Sequence, residues 1–175
     1  MASTNTPTAW GDATLEIGEV QADGTMASEL ENVGIIDADS LTVELTDGTI
    51  YQYKDINGKL LDELELEGEL NINFTLKDPS EETMGKFWDV KTEGSGDTAV
   101  TWVKSILPNK QYCMRFSNPR VVGSRTWDFP VVKIKMKPGW EVAKGYNNPC
   151  TASVFNTGAK GWFGFGKVAA PTEGA

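Results

Sequence analysis

From Leu64 to Leu76 the chain alternates without a break, inside the stretch LDELELEGELNINFTLKD (61–78). Leu64, Leu66, Gly68, Leu70, Ile72, Phe74 and Leu76 fall in one phase. Glu63, Glu65, Glu67 and Glu69 fall in the other, followed by Asn71, Asn73, Thr75 and Lys77. A period of two belongs to an extended strand with one apolar and one polar face. A run of about 14 residues is ~45 Å long at ~3.3 Å per residue, more than a domain of this size needs. An exposed strand edge of that length invites pairing with another chain. The pattern therefore predicts a strand that takes part in an assembly.

The glutamate phase carries its own constraint. Same-face neighbours on a strand stand about 7 Å apart and point in parallel. Each adjacent pair repels by about 0.6 kcal/mol in bulk water, but by about 2.4 kcal/mol at an effective dielectric near 20. The row is cheap only if it is wet or faced by cations. Three arrangements meet that condition. The face looks at bulk water, or it lies against Lys133, Lys135 and Lys137, or it lines a water-filled channel. Those lysines form the polar phase of VVKIKMKP, where Val132, Ile134 and Met136 form the apolar one.

The rest of the chain reads as β-rich. Eighteen glycines and eight prolines punctuate short apolar runs, and the 39% hydrophobic content suffices for one core. Residues 1–12 read as a polar arm, 13–168 as a single β-rich domain and 169–175 as a tail. A first strand, ATLEIGEV, sets Leu15 and Ile17 in phase. Leu41, Val43 and Leu45 alternate, Asp47-Gly48 offers a hairpin turn, and Tyr51 and Tyr53 alternate after it. A second turn at Asn57-Gly58 leads into the glutamate strand, which predicts a three-stranded meander over 41–77. In DPSEETMGKFWDV, Asp78 fits a helix N-cap, Pro79 the first helical position and Glu81 the third. Met84, Phe87 and Trp88 form one stripe, so the spacing predicts a short helix over 79–90. Further strands are predicted near 99–107, 110–117, 129–137, 150–156 and 162–168.

Several function classes are disfavoured. A net charge of −9 opposes ordinary nucleic-acid binding, which needs a basic face. There is no histidine, the commonest general base and metal ligand. Cys113 and Cys150 are far apart and in no metal-binding spacing. MASTNTPTAW lacks the basic and apolar regions of a signal peptide, and no apolar run reaches membrane-spanning length. The expectation is a protein made in a reducing cytoplasm, with no membrane, cofactor or metal. Parallel carboxylates on one strand face do not converge on one bond as glycoside hydrolysis requires, so no enzyme is expected. GWFGFGKV (161–168) matches the start of a phosphate-binding loop, but Val168 replaces the Ser or Thr and no helix can follow. It reads instead as a closing strand whose glycines permit close packing. DADS (37–40) lacks the rest of a calcium loop and reads as a turn. The tryptophans are spread along the chain and read as core and interface residues.

The order of elements resembles the tail tube (major tail) proteins of long-tailed bacteriophages. The shared features are a hairpin, the long alternating strand, DPSEETMGKFWD directly after it, an FPVVKIKM-like strand and a glycine-rich aromatic ending. The resemblance spans about residues 14–168. It implies a mainly β fold, a β-sandwich or barrel with one flanking short helix, in subunits that form hexameric rings stacked into a tube. If six copies each give four strands to a common barrel, 24 strands at ~4.8 Å make a circumference near 115 Å and a backbone diameter of roughly 37 Å. Such a bore passes a DNA duplex. A conduit must not hold its cargo. Lysines on its wall would bind phosphates, whereas glutamates repel them. On this resemblance Glu63, Glu65, Glu67, Glu69, Asn71 and Asn73 line the lumen, and the apolar phase, Leu64 through Leu76, packs against the helix and the second sheet. Asp55, Asn57, Gly58 and Lys59, with the loop 21–40, are ring-to-ring contacts. Lys133, Lys135 and Lys137 face outward or meet acidic residues of a neighbour. The implied partners are further copies, a tape measure and other tail proteins, within the virion tail. Two alternatives stay open: a β protein that binds a small molecule or serves as a decoration or baseplate component, and a tube subunit of an injection or secretion system.

Overall fold

Period-two burial runs through most of the strands that reach the core. In a computed structural model, residues 14–34, 36–77, 80–106, 110–118, 122–143, 145–157 and 160–168 are described. The predicted arm and tail, and the Asp78-Pro79 helix start, lie outside them. The elements are β1 (Thr14–Glu19), β2 (Glu31–Asn32), β3 (Thr42–Thr46), β4 (Ile50–Lys54), β5 (Leu60–Glu65), β6 (Glu69–Leu76), α1 (Glu81–Phe87), β7 (Asp89–Glu93), β8 (Val100–Ser105), β9 (Tyr112–Ser117), β10 (Arg125–Met136), β11 (Trp140–Glu141), β12 (Gly145–Tyr146), β13 (Asn148–Val154) and β14 (Gly164–Lys167). The fold is mainly β with one short α-helix, as the alternation predicts.

The main sheet runs β2-β1-β9-β10-β13-β6-β3, with β14 also on β10. All its pairings are antiparallel. It is curled but not closed into a barrel. Asn32 pairs with Glu16 beyond one margin of the sheet, and Ile36 bridges Leu76 beyond the other. Four residues of chain reach about 14 Å, whereas a flat sheet would separate those points by roughly 29 Å. The curl wraps one apolar face around the core. Leu15 and Ile17, Leu70 through Leu76 in alternation, Met114 and Phe116, Phe129, Val132, Ile134 and Met136, and Ala152 and Val154 all point into it.

β10 changes phase at Pro130. The β9 register shifts between Phe129 and Val132, and both side chains are fully buried. A bulge tolerates proline, which has no N–H to give to a ladder. Beside it, Arg115 holds Asp128 across β9 and β10 through both carboxylate oxygens, Nε to Oδ1 at 2.6 Å and Nη2 to Oδ2 at 2.9 Å.

Helix α1 starts later and ends earlier than predicted. Its cap is Ser80, whose hydroxyl accepts from the Thr83 N–H at 3.2 Å. Trp88 closes it, its N–H donating to the Met84 carbonyl, and the chain then turns into β7. Phe87 and Trp88 are buried as the stripe requires. The helix is tied to the sheet by the Trp88 indole N–H donating to the Met136 carbonyl at 2.9 Å, by the Tyr112 hydroxyl donating to the Lys86 carbonyl, and by the ion pair of Lys86 with Glu31 at 3.0 Å.

The meander predicted over 41–77 does not form. β3 and β4 are consecutive but do not pair with each other. β3 pairs with β6 and β4 with β5. Asp47-Gly48 is therefore no hairpin turn. The turn at 55–59 stands as predicted: the Asp55 carboxylate accepts from the N–H groups of Asn57 and Lys59, and Gly58 takes φ 80°. β7 and β8 form a hairpin that the predicted helix and loop had obscured. The closing segment is a strand, with Gly166 lying where a side chain would strike the Thr126 hydroxyl. DADS is a 3-10 turn, tied down by the Ser40 hydroxyl donating to the Asp37 carbonyl and by the ion pair of Asp37 with Lys77 at 3.1 Å.

Both cysteines are free and buried. Burial pushes the Cys150 thiol up to about 12, well above its ordinary value. Above pH ~9 the unfolded chain releases this proton while the folded chain keeps it. Stability therefore falls as pH rises from about 9 toward 12, and Cys150→Ala should flatten that slope in denaturant titrations. A second expectation separates the two halves of the alternating stretch. Phe74→Ala should cost about 3–5 kcal/mol in chemical unfolding, whereas Leu64→Ala should change it by less than about 0.5 kcal/mol.

Candidate functional site

The long alternating strand is one arm of a hairpin that holds one register from Thr42 to Tyr53 and shifts by a residue only at Lys54, next to the tip. Thr42 opposes Asn73, Thr46 opposes Glu69, Ile50 opposes Glu65 and Tyr53 opposes Asp62. Each advance along one strand is matched by an equal retreat along the other, so β3-β4 and β5-β6 form one ribbon. It is pinched in the middle. A Cβ on Gly48 would lie 1.5 Å from the Leu66 carbonyl oxygen, and one on Gly68 would lie 1.7 Å from that of Thr46. Neither glycine has a positive φ. They are required by close backbone approach, and Gly68 is the one break in the leucine phase for that reason.

Below the pinch the ribbon belongs to the sheet and the apolar phase of β6 is core: Leu70, Ile72, Phe74 and Leu76 are buried. Above it, β4 and β5 are exposed at every position. The expectation that the apolar phase packs inward from Leu64 onward is thus corrected. Leu64 is 60% exposed and Tyr53 69%, and Tyr51 and Leu66 share their phase in the open. Among the described residues no second layer lies under this half of the ribbon. About 17 Å of two-stranded ribbon, at ~3.3 Å per residue over β4, stands out with Tyr51, Tyr53, Leu64 and Leu66 bare on one face, beside Asp62.

Glu63 and Glu65 lie on β5, Glu67 between the strands and Glu69 at the start of β6. All four are exposed. Glu63 accepts from the Gln52 amide at 2.8 Å and Glu67 from the Asn156 amide at 3.2 Å. Among the described residues none of the four forms an ion pair. Asn71 and Asn73 continue the phase on the outer face of the sheet, where they accept from the hydroxyls of Ser153 at 2.9 Å and Thr151 at 3.0 Å. The ring-contact candidates Asp55, Asn57, Gly58 and Lys59 gather at the ribbon tip, beside Ile56, which is wholly exposed.

The lysines share the face of the asparagines. Ser153 opposes Asn71 on one side and Lys133 on the other, and Thr151 opposes Asn73 and Lys135 in the same way. Lys133 and Lys135 thus do not turn to the opposite side of the sheet. Lys137 follows in the same alternation and is exposed. The outer face of β3-β6-β13-β10 is graded: Glu44 at one margin, amides and hydroxyls in the middle, lysines at the other margin.

Two more hairpins leave large apolar groups exposed: Trp102 and Val103 on β8, and Trp140 and Tyr146 on β11 and β12. Alternation in VTWVKS signals the first. From the sequence the edge strand β3 reads only as half of a hairpin, and nothing local marks its free side. Trp127, Phe163 and Phe165 form a half-exposed aromatic group that pins β14 to β10, with Trp127 stacked on Phe163 at 5.5 Å.

Among the described residues no three His, Cys, Asp or Glu side chains gather to hold a metal ion. No helix among them is long and apolar enough to cross a membrane. No family model matches the chain, and no curated protein matches it either.

The pinch can be tested directly. Gly68→Val should force the ribbon open, so that amides of β4 and β5 exchange faster while those of β9 and β10 keep their protection. Unchanged β5 exchange would show that the close approach does not hold the ribbon.

Proposed function

We infer that this chain is a structural, non-catalytic subunit of a phage tail tube, built to complete itself against further copies. The observation that carries the reading is the β4-β5 ribbon, exposed along its whole length with Tyr51, Tyr53, Leu64 and Leu66 on one phase. A lone two-stranded hairpin is marginal in water, and large bare apolar patches mark interaction surfaces. Each such side chain contributes about 1.5–3 kcal/mol once covered. Neighbouring subunits supply that cover, with the tip residues 55–59 reaching the next ring.

The polar face of β3-β6-β13-β10 supports the conduit reading. It offers four adjacent strands with hydrated side chains, the contribution that six copies would each make to a common wall. Glu69, Asn71 and Asn73 then look into the bore, and the ribbon extends the acidic row through Glu63, Glu65 and Glu67. DNA passes such a wall without specific binding, because carboxylates repel phosphates and no counterions are released. The lysine margin is the exception on this wall. The other partners on this reading are a tape measure and neighbouring tail proteins in the virion.

Negative-stain electron microscopy of the purified protein should reveal rings or short tubes about six subunits around. A single monomeric species on sizing columns at every concentration would instead favour a decoration or ligand-binding protein. Replacing Glu63, Glu65, Glu67 and Glu69 together by Lys should leave ring formation intact and slow DNA passage through reconstituted tails. Unchanged passage would remove the acidic row from the wall.

A further inference from the structure

The graded face has a direction, and its two ends are complementary. In its lower half the sheet is four strands wide. The ladder between β9 and β10 ends at Tyr112 and Val132, so beyond that point β10 is a margin, its Met136 carbonyl covered by the Trp88 indole. The opposite margin is β3, which among the described residues pairs on one side only. Its sequence, TVELT, has none of the prolines, lysines or bulges that protect an edge. Val43 and Leu45 lie in the core phase, opposite Ile72 and Leu70, yet they are 44% and 71% exposed. The core runs out uncovered beneath this edge.

Glu44 stands between them on the polar face. It is level with Asn71, Ser153 and Lys133 in one row, and Lys135 lies one row down. Neither Glu44 nor Lys135 forms an ion pair among the described residues. Three strand spacings place the two margins about 14 Å apart, beyond the ~8 Å screening length at physiological salt. The charges at the two margins therefore do not satisfy one another within one chain.

We propose that a second copy of this chain seats its β3 edge beside the lysine strip of β10, with Glu44 of one copy pairing with Lys135 of the next. The seam rests on the tube reading and specifies it. It is heterologous, acidic margin to basic margin, and such contacts close into rings when the rotation allows. Two like margins repel, which sets the direction of travel around the ring. A stagger of one row brings Glu44 level with Lys135, and a closed arrangement of tilted strands requires a stagger. The seam also sets an acidic side chain beside the lysine margin of the wall and covers Val43 and Leu45.

Sedimentation velocity on Glu44→Lys, Lys135→Glu, the double variant and the wild type tests this. Each single charge reversal should raise the concentration needed for assembly by at least about tenfold at low salt, because like charges then meet at every seam. The double variant should recover assembly. An equimolar mixture of the two singles should assemble where neither does alone. Both positions are exposed, so thermal melting of the monomers serves as the check that each variant folds. Wild type that assembles while the singles assemble equally well overturns the seam alone. Wild type that stays monomeric throughout overturns both the seam and the tube reading. A double variant that folds but stays monomeric also overturns the seam.

Discussion

One antiparallel register, held from Thr42 to Tyr53 on one strand and from Asn73 to Asp62 on the other, organises this protein. Half of that ribbon has a core beneath it and half has none. Below Gly48 and Gly68 the apolar phase of β6 is buried, while Val43 and Leu45 of β3 stay open at the sheet margin. Above them the same alternation continues into water. The backbone bonds hold the projecting strands to each other, but their apolar residues gain nothing until another surface arrives. The molecule thus has a packed core in one part and a bare two-stranded projection in the other.

Charge follows a similar division. The acidic residues of the ribbon are exposed and widely hydrated, which keeps their mutual repulsion small. The lysines occupy the far margin of the same sheet face. Between them lies a strip of hydrogen-bonded amides and hydroxyls, Asn71 with Ser153 and Asn73 with Thr151. A uniformly acidic wall was the simplest expectation from the sequence. The strand order gives instead a sheet face graded from acid to base, because β13 brings β6 and β10 within two spacings of each other.

The alternation was legible because burial on one face of a strand imposes it residue by residue. It gave the phase of Leu70 through Leu76, of Val132, Ile134 and Met136, and of Leu15 and Ile17 correctly. Strand pairing was less legible. Asp47-Gly48 has the composition of a hairpin turn, but its glycine serves a backbone crossing that only the distant Gly68 makes intelligible. Leu64 and Leu70 read alike in any local pattern; nothing near Leu64 says that the main sheet has ended, since that depends on where its neighbour β13 stops. Trp88 fits the helical stripe and is buried as the stripe demands, yet the helix ends one residue before it. The candidate site was legible as a list of side chains. Its grading from acid to base was not, because it depends on the order β3-β6-β13-β10, which no local spacing encodes.

The two glycines at the crossing carry one more consequence. Because main chain touches main chain there, the heading of the projecting arm is fixed by the peptide groups themselves, whatever decorates its surface. Substitutions along the arm would therefore repaint its surface without re-aiming it.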